Sequence, residues 1–243
     1  MTTLQVDDLI ALYRTYGARQ YGREAVSQLE HALQCARLAE SAGAAPALVA
    51  ASLLHDVGHM VWHSAPVTVT GENAAGKKNG ARKGPMQGLL DYLAAGESHE
   101  YQHTPAEQAA LLRGKRTNDL HEHRAHWFLE NLFGPEVLEP IRLHVEAKRY
   151  LCCADPGYWD ILSPESKRSL EVQGGPHDAD QARRFARMAH AADAVQLRRW
   201  DDSAKVPGTW TPDLEHYKKI LEAVVLRVKP AALVVGIPAS SAA

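Results

Sequence analysis

The 243-residue sequence is poor in cysteine, with Cys35 and the adjacent pair Cys152 and Cys153 as its only three. Three thiols in this arrangement provide neither a disulfide framework nor the paired CxxC spacing of a zinc site. We therefore expect reduced thiols in the core. Since 45% of the residues are hydrophobic, a chain of this length can bury a full core without covalent cross-links.

Long apolar runs and a large net charge are also lacking. No stretch approaches the roughly 18 apolar residues that indicate a membrane span, and the first residues do not follow the basic-then-apolar order of a secretory signal. The formal net charge of -2 provides no general attraction to nucleic acid. The composition therefore predicts a cytoplasmic protein that has neither nucleic acid nor a membrane as a partner.

The sequence instead contains a succession of amphipathic helical patterns, without the alternating apolar runs typical of strands. The predicted fold class is therefore all-α. The predicted helices cover residues 6–16, 23–42, 46–57, 121–133, 135–153, 164–172, 178–200 and 212–228. We expect one domain over residues 1–243, with residues 64–120 as an inserted loop and short-helix segment. This segment either covers the functional site as a lid or is a passive surface excursion.

Histidine and aspartate recur along the predicted helices in a spaced series. Several imidazoles and carboxylates can hold two metal ions about 3.5–4 Å apart and bridge them through a carboxylate. The adjacent His55-Asp56 pair would also be costly to bury without a cation. The sequence therefore predicts a dinuclear metal centre, while spacing alone leaves iron, manganese, nickel and magnesium open. Its candidate ligands are His31, His55, Asp56, His121, His144 and Asp201.

The segment ASLLHDVGH concentrates polar groups at the end of an apolar stretch. Because the apolar part predicts a buried helix, we expect His55 and Asp56 to enter the site together. His59 is expected to follow on the same helical face, one turn later. In QLEHALQCA, His31 lies beside the apolar stripe of its own predicted helix. Two helices are thus expected to converge on one polar site.

The order of these residues resembles the HD-domain superfamily, a group of largely helical proteins, most of them metal-dependent phosphohydrolases. A more detailed resemblance is to its mixed-valence di-iron oxygenase branch, in particular to the 2-amino-1-hydroxyethylphosphonate dioxygenases of phosphonate catabolism. The segments that carry this resemblance are QLEHALQCA, ASLLHDVGH, HVEAKRYL, LSPESKRSLEVQGGP and LRRWDDSAK. It implies an HD-domain helical bundle, with the insertion lying between the second and third metal-binding helices.

The resemblance divides the candidate ligands between two irons. It implies that Asp56 bridges the irons and that the first iron is also held by His31, His55 and Asp201. The remaining two candidate histidines would complete the second iron. Asp193 competes for the role of terminal carboxylate, but Asp201 is preferred because the segment WDDSAK carries the family match.

The resemblance also implies a site for a phosphonate, which is a dianion near neutral pH and needs several hydrogen-bond donors. Lys148 and Arg198 would point towards the metals as its cationic partners. Tyr21 and Glu24 would close over a cationic substituent, because a carboxylate and an aromatic face both attract a cation. His59 is expected to be a catalytic residue that also contacts the phosphonate. The implied substrate-binding residues are Tyr21, Glu24, His59, Lys148, Ser166, Gln173 and Arg198.

The implied activity is O2-dependent cleavage of a C–P bond by an Fe(II)/Fe(III) pair, giving a carboxylic acid and phosphate. Tyr21 and Glu24 favour 2-amino-1-hydroxyethylphosphonate or its N-trimethyl analogue as substrate, with glycine or glycine betaine as product; hydroxymethylphosphonate stays open. A hydroxylase that supplies the 1-hydroxyphosphonate is implied as an upstream partner. The alternative is a metal-dependent HD-domain phosphohydrolase, in which two metals activate a water that attacks a phosphate ester. The long segment between His59 and His121 departs from the family pattern and limits the choice of substrate.

Overall fold

The computed structural model describes residues 4–64 and 118–226. Within these ranges the chain is helical and has no strand, only isolated β-bridges at Gln20–Ser27 and Phe133–Val225. The predicted all-α class is confirmed. The helices α1 to α11 are, in order, Val6–Tyr16, Gln28–Ser41, Pro46–Leu54, Val57–Ser64, His121–Leu129, Pro135–Ala154, Tyr158–Ile161, Pro164–Val172, Ala179–Phe185, Ala191–Ser203 and Leu214–Val224. Nearly all of the predicted insertion lies outside the described residues.

Helix α3 lies at the centre of the bundle and determines where the polar site forms. Its sequence, PALVAASLL, is apolar on nearly every face, and a helix of this kind must be surrounded by other elements. It packs against α2, α6, α10 and α11. Pro46 begins the helix, and His55 caps its end. The residues that directly follow α3 are therefore delivered into the middle of the bundle.

Several predicted helix boundaries agree with the structure, and others needed correction. Residues 6–16 and 164–172 match α1 and α8, and α6 extends one residue beyond the predicted 135–153. The prediction of 23–42 was wrong at its start. Ser27 is the N-cap of α2, because its hydroxyl accepts from Glu30 N at 3.2 Å while the Glu30 carboxylate accepts from Ser27 N at 2.8 Å. This capping box fixes the first turn at Gln28.

Two predicted helices are each divided in the structure. The helix predicted over 46–57 ends at Leu54, and a two-residue turn, His55-Asp56, separates it from α4. The helix predicted over 178–200 is divided into α9 and α10 because His190 has a φ of 62°. A left-handed residue cannot continue a right-handed helix. The divisions change the direction of the chain beside the site.

The predicted ends of two helices were too late. Helix α5 ends at Leu129 rather than at 133, and α11 covers Leu214–Val224 rather than 212–228. A β-bridge pairs Phe133 with Val225, and bridge pairing excludes both residues from the helices predicted to include them. None of the helices in residues 4–64 and 118–226 combines the length and the apolar character that a membrane span requires.

The prediction that all three cysteines are core thiols was only partly right. Cys35 is buried in α2, Cys152 is half-buried and Cys153 is exposed at the end of α6; all three are free. Two adjacent positions on a helix point about 100° apart, so both cannot face the same core.

Candidate metal centre and substrate pocket

Six polar side chains converge in the middle of the bundle, and none is more than 6% exposed. They come from five places in the chain. His31 lies in α2, the His55-Asp56 pair forms the turn between α3 and α4, and α5, α6 and α10 contribute one residue each. The structure thus brings together every predicted metal ligand: His31, His55, Asp56, His121, His144 and Asp201.

Asp56 lies between two pairs of histidines. Its Oδ2 is 3.7 Å from His31 Nε2 and 3.3 Å from His55 Nε2. Its Oδ1 is 3.2 Å from His121 Nε2 and 3.7 Å from His144 Nε2. Each oxygen of this one carboxylate therefore faces a different pair of imidazoles, an arrangement suited to bridging two cations.

Asp201 lies beside the first pair of imidazoles, His31 and His55, and not beside the second. Its Oδ1 is 3.4 Å from His31 Nε2, and its Oδ2 is 3.8 Å from His55 Nε2. Asp193, the competing carboxylate, lies elsewhere: its side chain is 48% exposed, with Oδ2 at 3.3 Å from His190 Nδ1. Of these two aspartates, only Asp201 can serve the buried cluster.

The Nδ1 atom of each of the four imidazoles lies within hydrogen-bond distance of an acceptor oxygen, which orients the ring. His31 Nδ1 is 2.8 Å from Ala204 O, His55 Nδ1 is 3.0 Å from Ser52 O, and His144 Nδ1 is 2.7 Å from a carbonyl in its own helix. The fourth, in α5, has its Nδ1 at 2.9 Å from a carboxylate. Carbonyl and carboxylate oxygens only accept, so each Nδ1 carries the proton. The Nε2 lone pairs are left to face one another, as they do around a metal.

At least one oxygen of each of the buried carboxylates has no hydrogen-bond donor in the described part of the chain. Asp56 Oδ2 and Asp201 Oδ1 accept no hydrogen bond from any described residue. Burial would raise the pKa of Asp56, but His55 and His121 hold it well below its usual value. Burial and the neighbouring imidazoles His121 and His55 lower the pKa of His144 well below its ordinary range. Buried carboxylate oxygens without a hydrogen-bond donor, next to converging imidazole nitrogens, fit bound cations, and nitrogen and oxygen donors together suit iron.

A cavity of about 470 Å³ opens directly onto this cluster. Its wall includes every side chain predicted to bind substrate: Tyr21, Glu24, His59, Lys148, Ser166, Gln173 and Arg198. Two of the rings stack on predicted ligands. Tyr21 lies on His31, with ring centroids 3.9 Å apart, and His59 lies on His121, at 4.1 Å. The substrate pocket and the candidate metal centre are therefore continuous.

The two predicted cationic partners of the phosphonate have different surroundings. Lys148 is 2% exposed and donates to Ser169 Oγ at 2.8 Å; burial, followed by the charge of Arg198, lowers its pKa to about 7. Arg198 forms ion pairs with two carboxylates. Its Nη1 lies 2.6 Å from Asp201 Oδ2, and its other nitrogens pair with Asp202. The guanidinium therefore holds a predicted metal ligand as well as lining the pocket.

The sequence QGGP, at residues 173–176, contributes Gln173 to the wall of the pocket. Gly174 and Gly175 have φ values of 97° and 71°, which other residues rarely adopt. Arg149 Nε donates to Gly175 O at 2.8 Å, tying the loop to α6. The double glycine is thus needed for the turn itself.

Charged residues of the site that sequence reasoning missed include Lys205 and Asp119. Lys205 lines the cavity, and its Nζ donates to Ser166 Oγ at 2.9 Å. Asp119 accepts from the Nδ1 atoms of His59 and His121, both at 2.9 Å. Lys205 lies within LRRWDDSAK, a segment that carries the family resemblance. No sequence pattern indicated Asp119. Its contact with both histidines depends on the left-handed backbone of Leu120, which has a φ of 52°.

Comparison with known proteins agrees with this geometry, although no protein-family model matches the chain. The chain is 36% identical over 218 residues to the hydroxymethylphosphonate dioxygenase of Gimesia maris, covering 90% of this chain and 87% of that protein. It is 26% identical over 220 residues to the glycine-betaine-forming 1-hydroxy-2-(trimethylamino)ethylphosphonate dioxygenase of Leisingera caerulea, covering 90% of each. An uncharacterized protein of Acanthamoeba polyphaga mimivirus is 24% identical over 216 residues, covering 89% of this chain and 80% of that protein. The chain therefore belongs to the HD-domain phosphonate dioxygenase family and is an oxygenase that uses a metal and O2.

Proposed function

We propose that this chain cleaves the C–P bond of a 1-hydroxyalkylphosphonate with O2, and that its cofactor is a pair of iron ions, Fe(II) and Fe(III). The observation that carries the proposal is the position of Asp56, whose two oxygens face separate histidine pairs beside a cavity with cationic and hydroxyl groups. The two named relatives, both dioxygenases of hydroxyalkylphosphonates, support the substrate class.

The overall reaction balances without an external reductant. A 1-hydroxyalkylphosphonate and one O2 contain the same atoms as a carboxylic acid and phosphate. The C–P bond and one C–H bond break; one oxygen atom of O2 is added to carbon and the other to phosphorus. Carbon and phosphorus are both oxidised, and O2 takes up the four electrons. No further donor of electrons is needed.

The candidate ligands divide between the irons according to the side of Asp56 that they face. His31, His55 and Asp201 would hold one iron, the two histidines of α5 and α6 would hold the other, and Asp56 would bridge them. When bound, the irons would bind the substrate oxygens and O2 and would provide the redox chemistry.

The pocket residues would bind and orient the phosphonate. Lys148 has a pKa of about 7, so a dianion beside it would favour the charged ammonium form. Ser166 and Gln173 offer neutral hydrogen-bonding groups from the wall of the same cavity. His59 donates from Nδ1 to Asp119 and lines the cavity, with its Nε2 3.9 Å from Asp56 Oδ1, and it would contact a phosphonate oxygen. Arg198 would act partly through Asp201, which it orients.

Phosphate release measured with and without O2 tests the proposed function. Protein loaded anaerobically with iron would be given hydroxymethylphosphonate, 2-amino-1-hydroxyethylphosphonate, its N-trimethyl analogue and a phosphate monoester. We expect O2-dependent phosphate release from at least one phosphonate, and ¹⁸O2 should label both the carboxylic acid and the phosphate. Such a substrate must be supplied by a reaction that hydroxylates a phosphonate at C1.

The same assay tests the hydrolase alternative. Phosphate release from the monoester in the absence of O2, with none from the phosphonates in its presence, would overturn the proposal. If the oxygen newly incorporated into the products came only from H2¹⁸O, the transfer of both O2 atoms to carbon and phosphorus would be contradicted. In this assay, Asp193→Asn is the matched control for Asp201→Asn, because Asp193 lies outside the cavity and the buried cluster.

A further inference from the structure

A carboxylate of α6, Glu146, is joined by hydrogen bonds to the loop that follows α8. Its Oε1 accepts from Arg149 Nη1 at 2.9 Å, and its Oε2 accepts from His177 Nε2 at 2.7 Å. Arg149 in turn donates from Nε to Gly175 O at 2.8 Å, and its own carbonyl accepts from His177 N at 3.1 Å. These four residues form a closed network between one turn of α6 and the loop, which we call the loop clamp.

His177 is the most buried side chain of the loop clamp, with the residue 6% exposed. Since a carboxylate only accepts, His177 Nε2 carries the proton in the bond to Glu146. The other ring nitrogen, Nδ1, is buried and has no hydrogen-bond partner among the described residues. Loss of the Glu146 carboxylate would therefore leave both buried nitrogens of this ring without a partner, which is costly.

The loop clamp adjoins two side chains of the cavity wall. Gln173 is the C-cap of α8 and directly precedes the two glycines of the clamped turn. Lys148 lies between Glu146 and Arg149 on α6, is 2% exposed, and donates to Ser169 Oγ at 2.8 Å. Gln173 and Lys148 both line the cavity. The same turn of α6 thus holds the loop and contributes an ammonium group to the cavity.

The side-chain amide of Gln173 has an unused acceptor. Its Oε1 is buried and accepts no hydrogen bond from the part of the chain that the structure describes. A ligand with a donor group, such as the hydroxyl of a 1-hydroxyalkylphosphonate, would satisfy this oxygen. The amide can meet such a ligand only if the backbone beside it is fixed. Two successive glycines follow Gln173, and glycine is the residue with the greatest conformational freedom.

We propose that Glu146 is a positioning residue: through Arg149 and His177 it fixes the Gly174–Gly175 turn and thereby holds Gln173 where it binds the phosphonate. This inference rests on the proposed function, because it takes the substrate as the ligand of Gln173. Glu146 does not itself line the cavity. Without the loop clamp the turn would have to be ordered when the ligand binds, and this ordering costs affinity. The chemistry at the metals is not affected.

Glu146→Ala tests this inference in the iron-loaded enzyme, with Glu139→Ala as its matched control. Glu139 lies on the same helix and pairs with Arg142 at the same spacing of three residues, but neither residue lines the cavity. Anaerobic titration calorimetry with hydroxymethylphosphonate and with 2-amino-1-hydroxyethylphosphonate gives Kd, and phosphate release gives kcat. For the phosphonate that the wild type turns over, we expect Glu146→Ala to raise Kd by about threefold to tenfold, the effect of one neutral hydrogen bond. Iron content should stay at the wild-type value and kcat should change little, as expected when uniform binding is lost. Glu139→Ala should match the wild type in all three measurements.

Hydrogen exchange at the loop provides a readout that does not depend on turnover. The N–H groups of Gly175 and His177 donate to carbonyls of α8 and α6, at 2.9 Å and 3.1 Å, so both should be protected in the wild type. We expect both amides to exchange faster in Glu146→Ala and at the wild-type rate in Glu139→Ala. Glu146→Gln retains one acceptor oxygen, so its exchange rates and its Kd should lie between those of Glu146→Ala and the wild type.

A double substitution identifies the residue through which Glu146 acts. If Glu146 positions Gln173, the rise in Kd caused by Glu146→Ala should nearly disappear in the Gln173→Ala background, because residues that act through one contact are not additive. Rises in Kd that multiply fully in Glu146→Ala/Gln173→Ala would overturn the role of Glu146. Thermal unfolding of all variants shows whether a change in Kd accompanies a loss of folding.

The possible failures are distinguishable. A wild-type Kd in Glu146→Ala, or an equal rise in Glu139→Ala, would overturn the positioning role and leave the proposed function intact. Loss of iron in Glu146→Ala would also overturn it, because the effect would then pass through His144, two residues earlier on α6. Absence of O2-dependent phosphate release from every phosphonate would overturn the proposed function, and this inference with it.

Discussion

Asp119 and His121 are joined by a hydrogen bond of 2.9 Å from Nδ1 of the imidazole to Oδ1 of the carboxylate, across the left-handed residue Leu120. The other oxygen of Asp119 accepts from His59 Nδ1, also at 2.9 Å. One carboxylate thus fixes the tautomer of a candidate metal ligand and of the ring that stacks on it. Partners of this kind tune metal affinity without contacting the metal.

Asp119→Asn should weaken metal binding on the His121 side of Asp56. An asparagine has only one acceptor oxygen, so one of the two imidazoles loses its partner and its fixed orientation. We expect affinity for that metal to fall by about 10-fold to 100-fold, measured as iron retained per chain after dialysis against a graded chelator. Asp160→Asn changes an exposed aspartate outside the cavity and should retain wild-type iron. Full retention of iron in Asp119→Asn would contradict this role.

Asp201→Asn and Asp193→Asn should behave in opposite ways. Asp201 is 1% exposed and faces His31 and His55, whereas Asp193 is on the outside of the same helix. Loss of the Asp201 charge should remove about half of the bound iron and abolish O2-dependent turnover, because one of the two metals loses its terminal carboxylate. Asp193→Asn should match the wild type in both measurements. Equal iron content in the two variants would exclude Asp201 as a ligand.

Lys148→Met should stabilise the metal-free protein below about pH 7 while preventing phosphonate binding. Burial lowers the pKa of Lys148 to about 7 from its ordinary value of 10.5. Between these values the unfolded chain binds the proton and the folded chain does not, so stability rises with pH in that window. Below it, the folded protein carries the full cost of a buried ammonium, which methionine removes.

The gain in Tm of Lys148→Met over the wild type should therefore be largest near pH 6 and should shrink towards pH 10. Differential scanning calorimetry at a series of pH values measures it. Lys167→Met should show no such trend, since Lys167 is only half-buried and lies over Trp159, outside the cavity. A gain in Tm that grows with pH would reverse the sign of the argument.

Gly58→Ala should disrupt the contact between α4 and α5. A Cβ at Gly58 would lie 2.0 Å from His121 O and 3.1 Å from Ala125 N, and backbone atoms cannot move aside as a flexible side chain can. We expect a loss of stability of at least about 1–3 kcal/mol and lower iron content, because His121 is displaced with its helix. Gly157→Ala is the control: its Cβ would meet nothing within 4 Å. A Tm equal to the wild type in Gly58→Ala would show that the helices separate without cost.

The sequence identified the six candidate ligands from histidines and aspartates beside apolar helical patterns and, for Asp201, from the family resemblance of the segment WDDSAK. His31 next to the stripe of α2, and His55-Asp56 at the end of the apolar α3, could only point into the bundle. Boundaries were less predictable where a single backbone angle decided them. His190, with its φ of 62°, is the N-cap of α10 and prevents residues 178–200 from forming one continuous helix.

By itself, the sequence determined that the chain is all-α and that imidazoles and carboxylates would meet in its core, since helical periodicity and burial are local properties of the chain. Only the tertiary structure decided the partners. It placed Asp119 against His59 and His121, paired Arg198 with carboxylates, and put the Lys205 ammonium beside Glu24, 181 residues earlier in the chain. Such contacts depend on how separate helices pack against one another, and no pattern within a single segment contains that information.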